Sequence, residues 1–228
     1  MGQAWFPLEL FVFLDDLAVN NDRAWFKANR RRYEEAVQEP ALAFVEAFGP
    51  ELQRISGNFV ADARPVGGSL FRLQRDTRFA KDKTPYKTNV GIHFHHRLAR
   101  DVHAPTFYLH LAPGEVFAAV GLWHPDGTTL GRIRDAIVER PAAWRRAAHG
   151  GPFTNAYRLG GESLRRPPRG YDPNHPLIED LKRKDFIGSA TLSEEAVAEP
   201  GFVQQYADLC RAGVPFMRFL CDAVGVPF

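Results

Sequence analysis

Six cationic side chains, Arg72, Arg75, Arg78, Lys81, Lys83 and Lys87, crowd into the stretch FRLQRDTRFAKDKTPYKTN at residues 71–89, against only two acids, Asp76 and Asp82. Like charges held this close repel one another unless anions offset them. Arginine presents a planar fork suited to two-point contact with phosphate or carboxylate, and lysine adds a point charge on a flexible stem. The pattern suits an anion cradle with Arg72, Arg75, Arg78, Lys83 and Lys87 as contacts and with Asp76 and Asp82 orienting them. The competing reading is a structural ion-pair network that pins the loop to acids of the N-terminal third, such as Asp15, Asp16, Glu34 or Glu35. Exposed pairs contribute only about 0–1 kcal/mol each, which is little reason to place six cations together.

Histidines follow directly. His93 and His95, two apart, share one face of a strand, and on the same side of the sheet the alternation places Tyr108 and His110 of a neighbouring strand. Together with Arg72 and Gln74 they make a sheet face of Arg, Gln, His and Tyr that is either wetted surface or the wall of a site. Three imidazoles are a feasible zinc set. There is, however, no HExxH, no CxxC and no acid close enough in sequence to complete it, so no metal and no cofactor are expected. Asp76, Tyr86 and His110 are the residue types that move protons, and the arginines suit an anionic transition state as phosphoryl transfer requires; they are weak catalytic candidates, because no nucleophile elbow, Walker loop or carboxylate pair accompanies them. Nucleic acid is the other partner class to weigh, since Phe71, Phe79, Tyr86, Phe94 and Tyr108 interleave with the cations as in single-strand binders. The near-neutral total charge of +2 argues against it.

That total conceals an asymmetry. Residues Arg64 to Arg100 hold nine Lys or Arg and two Asp, net +7, so the rest of the chain carries −5. A nucleic-acid coat is more uniformly basic; a local pocket looks like this. At 228 residues and 45% hydrophobic content the chain can bury a sizeable core as one domain. No window approaches the ~20 apolar residues of a membrane span. The N-terminus has no basic lead and meets Asp15 and Asp16 after a short apolar run, unlike a signal peptide. Cys210 and Cys221 fall on one C-terminal helix too far apart to bridge, so no disulfide framework is expected and the setting is read as cytoplasmic.

The elements that must position these side chains can be read from periodicity. Leu10, Phe11, Leu14 and Leu17 recur at helical spacing, Asn20 and Asn21 punctuate, and Trp25, Phe26, Tyr33 and Val37 mark a second helix. Pro40 opens a third, with a kink expected at Gly49-Pro50. From Val66 the rhythm becomes that of strands: VGGSLFRLQR, TNVGIHFHH, TFYLHLA and VFAAVGLW, the last two joined through Pro113-Gly114. Phe71 and Leu73 are taken as core-facing, as are Val90, Ile92, Phe94, Phe107, Leu109 and Leu111. Residues 150–176, rich in Pro and Gly, read as an ordered loop, in which Arg165, Arg166 and Arg169 form either a lid or a solvated surface. Helices follow near 177–184 and over 202–224, the latter interrupted near Gly213 and Pro215. Trp5, Trp25, Trp123 and Trp144 are assigned to the core. The result is an α+β domain over 1–228: a helical N-terminal part (1–60), a mostly antiparallel sheet of about four or more strands (64–124) and a helical C-terminal part (128–228).

The blocks NNDRAWFKANRRRYEEAVQEP, FRLQRDTRFAKDKTPYKTNVGIHF, HAPTFYLHLAPGEVFAAVGLWHPD and LRRPPRGYDPNHPLIEDLKRKDF closely resemble a bacterial and fungal family described as domain of unknown function 2461. The resemblance covers nearly the whole chain and implies a single-domain protein. It brings no activity, cofactor or catalytic residue. Thr106 stands where the family's motif leads one to expect Gly, a change a strand accommodates. The chain alone thus points to an anionic small molecule or nucleotide held at Arg72, Arg75, Arg78, Lys83, Lys87, His93, His95 and Tyr108.

Overall fold

The computed structural model describes residues 4–98 and 105–228; Arg100, the last cation of the basic span, lies outside them. The N-terminal third is helical: α1 (Leu8–Val19), α2 (Arg23–Ala28), α3 (Arg30–Tyr33), a π-helical turn at Glu34–Gln38, and α4 (Glu39–Ile55). The second expected helix is therefore three short pieces running into the third. Asp22 caps α2, its carboxylate accepting from the N–H groups of Ala24 (2.8 Å) and Trp25 (2.9 Å). Asp22→Ala is expected to lower stability by about 1 kcal/mol, read as a lower urea midpoint at unchanged slope.

Five antiparallel strands follow: β1 (Val90–His95), β2 (Thr106–Ala112), β3 (Glu115–Leu122), β4 (Arg158–Gly160) and β5 (Phe186–Leu192), in spatial order β1-β2-β3-β5-β4. Between and after them lie α5 (Gly127–Glu139), α6 (Pro141–Ala148), α7 (Gly151–Ala156), α8 (Ile178–Leu181), α9 (Glu194–Ala198) and α10 (Phe202–Val224). The expected strand over 66–75 does not form. Its segment makes isolated bridges, Leu70 to Ile92 and Gln74 to Tyr86. Phe71 N–H reaches Gly91 O and His93 N–H reaches Ser69 O, after which the chain leaves β1 and pairs with its own return leg through Arg75 N–H to Pro85 O and Lys87 N–H to Leu73 O. The basic stretch is thus an excursion off the edge of the sheet.

Two strands were hidden. In β5 the core-facing positions are Phe186, Gly188 and Ala190, the last two too small to register as a hydrophobic run. Gly188 is required by packing, since a Cβ there would lie 2.5 Å from the Phe153 ring. β4, only three residues long, and α7 sit in the stretch expected to be irregular. α10 runs unbroken through Gly213 and Pro215, and Gly213 lets it approach β3, a Cβ there lying 3.2 Å from Val120.

One sheet face meets the helices. Val90, Ile92, Phe94, Phe107, Leu109, Leu111, Val116, Ala118 and Val120 are buried as alternation required, and Phe48 of α4 packs on Phe94 with ring centres 4.8 Å apart. Tyr206 of α10 completes this layer at 4.8 Å from Phe48. Cys210 and Cys221 are both buried on α10 and unlinked. Among the described residues no helix is long and apolar enough to cross a membrane.

Candidate functional site

The opposite sheet face is concave. Its register sets His95, Thr106, Gly121 and Ile187 in one row across four strands and His93, Tyr108, Ala119 and Ser189 in the next. These residues, with Phe71, His110, Phe117 and Trp123, line a cavity of about 460 Å³, within the range of small-ligand sites. Small side chains at Ala119, Gly121 and Ser189 keep the floor low while aromatic rings rise on both sides.

The walls are stacked pairs. Phe71 lies on His93 (ring centres 4.2 Å, planes 18° apart) and His110 on Phe117 (4.6 Å, 9°). Tyr108 stands between them, its phenol oxygen sharing a hydrogen bond of 3.0 Å with Nδ1 of His110. Gly91 permits this approach: a Cβ there would come within 2.7 Å of the Tyr108 hydroxyl and 2.9 Å of the Phe71 ring. Phe71 therefore belongs to the cavity and Leu70, with Leu73, to the core, correcting the face assigned to it by alternation; the irregular path past Gly67 and Gly68 shifts the register. Trp123, read as core, is 58% exposed at the lip of the cavity. Thr106 fits its strand, its hydroxyl donating to Phe94 O at 3.1 Å.

Burial governs the protonation of this face. It lowers His93, to about 4, with the neighbouring His95 adding to the effect. It also lowers His95 and His110, and it pushes the Tyr108 phenol up to about 12. The imidazoles are neutral at physiological pH, each able to donate from one nitrogen and accept at the other. Nδ1 of His95 is buried with no hydrogen-bond partner. His93, His95 and His110 do not converge as a ligand set, and no cluster of three His, Cys, Asp or Glu able to hold a metal occurs among the described residues.

Apart from Lys81, which is exposed, the cations of the excursion divide into two groups. Arg78 grips Asp76 with two hydrogen bonds, Nη2 to Oδ2 at 2.7 Å and Nε to Oδ1 at 3.0 Å. Arg75 pairs with Asp82 and Thr84; the Asp82 carboxyl, which accepts first from Thr84 N–H and then from Arg75, is held down at about 2. Lys83 donates to Thr77 O at 2.9 Å. These three residues hold the loop's own shape. Lys87 differs: it is half-buried, makes no ion pair among the described residues, and lies 5.2 Å from the centre of the Phe71 ring. Burial, and then the nearby positive charge of Arg72, lower its pKa. Arg72 is exposed and likewise has no hydrogen bond or ion pair among the described residues.

The remaining sequence candidates lie apart. Tyr86 is a core pin, stacked on Phe26 at 4.3 Å and bracketed by Asn21, whose side-chain amide accepts from its N–H and donates to its carbonyl, both at 3.0 Å. Asp76 is on the exposed excursion, so Asp76, Tyr86 and His110 form no common centre. The segment with Arg165, Arg166 and Arg169 does not line the cavity; Tyr171 fastens its end to α5 by donating to Asp135 at 2.8 Å.

Residues 9–219 match the family model described as "Conserved hypothetical protein (DUF2461)". The chain belongs to this family. The DUF2461 match takes in the excursion and all five strands, so the cavity and its flanking cations lie wholly inside the family region. No curated protein and no solved structure matches the chain.

Sequence reasoning missed Phe117, Ala119, Gly121, Ile187 and Ser189. Phe117 and Ala119 were legible in principle, since they alternate with Val116, Ala118 and Val120, but an apolar run obscures which side is which. Ile187 and Ser189 depended on recognising β5.

Proposed function

We propose that this protein binds a small anionic ligand, phosphate-bearing in its simplest form, in the cavity on the outer sheet face, with the negative group at Lys87 and Arg72. The observation that supports this reading is Lys87. It is a half-buried ammonium with no carboxylate partner, set against a second cation, Arg72, and poised over a ring that forms the cavity wall. A half-buried ammonium whose affinity for its proton is lowered by burial and by a neighbouring positive charge gains stability when an anion sits beside it. Arg75, Arg78 and Lys83 shape the excursion that presents the pair. The proposed setting is the cytoplasm, where unlinked thiols such as Cys210 and Cys221 persist.

Calorimetric titration with inorganic phosphate at low ionic strength tests the reading. Lys87→Ala is expected to weaken binding by about 10- to 100-fold, the loss of one charge-assisted contact, and Arg72→Ala to weaken it less, with thermal midpoints unchanged. Arg145→Ala, which removes an exposed cation on α6 away from the excursion and the cavity, is the control that leaves affinity in place. Absence of binding in the unmodified protein refutes the proposal. A steep salt dependence spanning many phosphate contacts, obtained with single-stranded nucleic acid, favours the polymer instead.

A further inference from the structure

We infer that the cavity takes a planar aromatic or heteroaromatic group, so that its ligand is an aromatic anion of nucleotide size, laid flat against the sheet with its charge at the β1 edge. This rests on the reading of Lys87 and Arg72 as the anion contact and adds the chemistry of the rest of the molecule.

Three observations carry it. The first is shape: the floor at Ala119, Gly121 and Ser189 is low, and the flat rings of Phe71 and His93 and of His110 and Phe117, with Tyr108 between the two pairs, border it. Aromatic faces favour flat partners over branched aliphatic ones of the same volume. The second is the Ser189 hydroxyl in the lining, which offers a directional hydrogen bond to a ring nitrogen or exocyclic group. The third is charge. An adjoining depression that shares Phe117 and Ser189 with the cavity is edged by Glu115, Glu194 and Glu195. An anion is disfavoured at that end and drawn to the end where Lys87 overhangs Phe71, which fixes the orientation of a ligand with one charged terminus.

The test compares the four nucleoside 5′-monophosphates, ribose 5-phosphate and the uncharged nucleosides as calorimetric probes, against the unmodified protein and Ala119→Leu, which fills the slot without touching Lys87. At least one monophosphate is expected to bind about tenfold or more tighter than ribose 5-phosphate, and Ala119→Leu to erase that advantage while leaving ribose 5-phosphate binding unchanged. Phe117→Leu, which keeps bulk and removes a flat wall, gives the same answer if Ala119→Leu lowers the thermal midpoint. Equal affinity for ribose 5-phosphate and every monophosphate, or an advantage that survives both substitutions, overturns the aromatic slot and leaves the anion contact standing. Nucleoside binding without any response to ribose 5-phosphate or to Lys87→Ala overturns the anion contact and leaves the slot. No binding by any probe overturns both.

Discussion

Asp185→Ala is expected to lower the free energy of unfolding by about 3–5 kcal/mol, a large part of the ~5–15 kcal/mol typical of a domain. Asp185 is almost fully buried where β5 begins. Its carboxylate accepts from His124 N–H at 2.8 Å through Oδ1 and from Glu162 N–H at 2.9 Å through Oδ2, and Nδ1 of His124 lies 3.2 Å from Oδ1. One side chain therefore ties the turn after β3 to the segment after β4. Both turns need the tie. His124 has φ of 50°, a left-handed conformation disfavoured for a residue with a Cβ. Gly161 has φ of +90° and packs against Asp185 so closely that a Cβ would come within 2.5 Å of the aspartate's own. Alanine leaves two N–H groups without an acceptor and opens a void, whereas Asp185→Asn keeps one acceptor and is expected to cost less. Urea titration of both variants measures this; an unchanged midpoint for Asp185→Ala refutes it. Because Trp123 precedes His124, loss of the tie is also expected to weaken near-ultraviolet dichroism from the cavity lip.

Acidification from pH 7 to pH 4 is expected to remove on the order of 2–3 kcal/mol through His93 alone. The sign follows from where the proton goes. In the unfolded chain the imidazole titrates near 6.5, and in the fold burial and the neighbouring His95 hold it to about 4. Between those values the unfolded state binds more protons, so stability is full above about pH 6.5, falls as pH falls towards 4, and levels off below, where both states are charged. The magnitude is set below that of the whole shift because the ring keeps some contact with solvent. Phe71 stacks on one face of His93, His95 sits 5.3 Å away, and a backbone hydrogen bond at Gly68 acts weakly in the opposite sense. His95 and His110, lowered by the same burial, steepen the same window. Asp62 and Asp82, both held below the usual carboxylate range, give up their contribution only in more acidic solution. His93→Phe is expected to flatten the dependence of the urea midpoint on pH between 6.5 and 4. A nuclear magnetic resonance titration placing His93 near 6.5 in the folded protein excludes the effect.

Much of the architecture was legible because periodicity and burial share a cause. β1 and β2 face the core with the residues that alternation named, since a two-residue period cannot be met otherwise when one face is buried. The same logic placed His93, His95, Tyr108 and His110 together on the outer face before any partner was known. β5 escaped because α7 presses Phe153 into the sheet and leaves room only for a glycine at position 188, so close packing broke the run of bulky residues by which a strand is recognised. α10 survived Gly213 and Pro215 because its packing on β3 and α4 outweighs the local weakness that propensity registers.

The amino-acid sequence determined the α+β class, the family, the inward faces of the first strands and the surplus of positive charge between residues 64 and 100, all properties of composition and short-range spacing. Tertiary structure decided how that surplus is apportioned: Arg75 and Arg78 turn back to acids within their own loop, while Lys87 is set over the ring of Phe71 with the charge of Arg72 nearby. The physical reason is that electrostatic pairing depends on distances set by the path of the chain, and that path follows from where the excursion leaves the edge of β1, which no local pattern encodes.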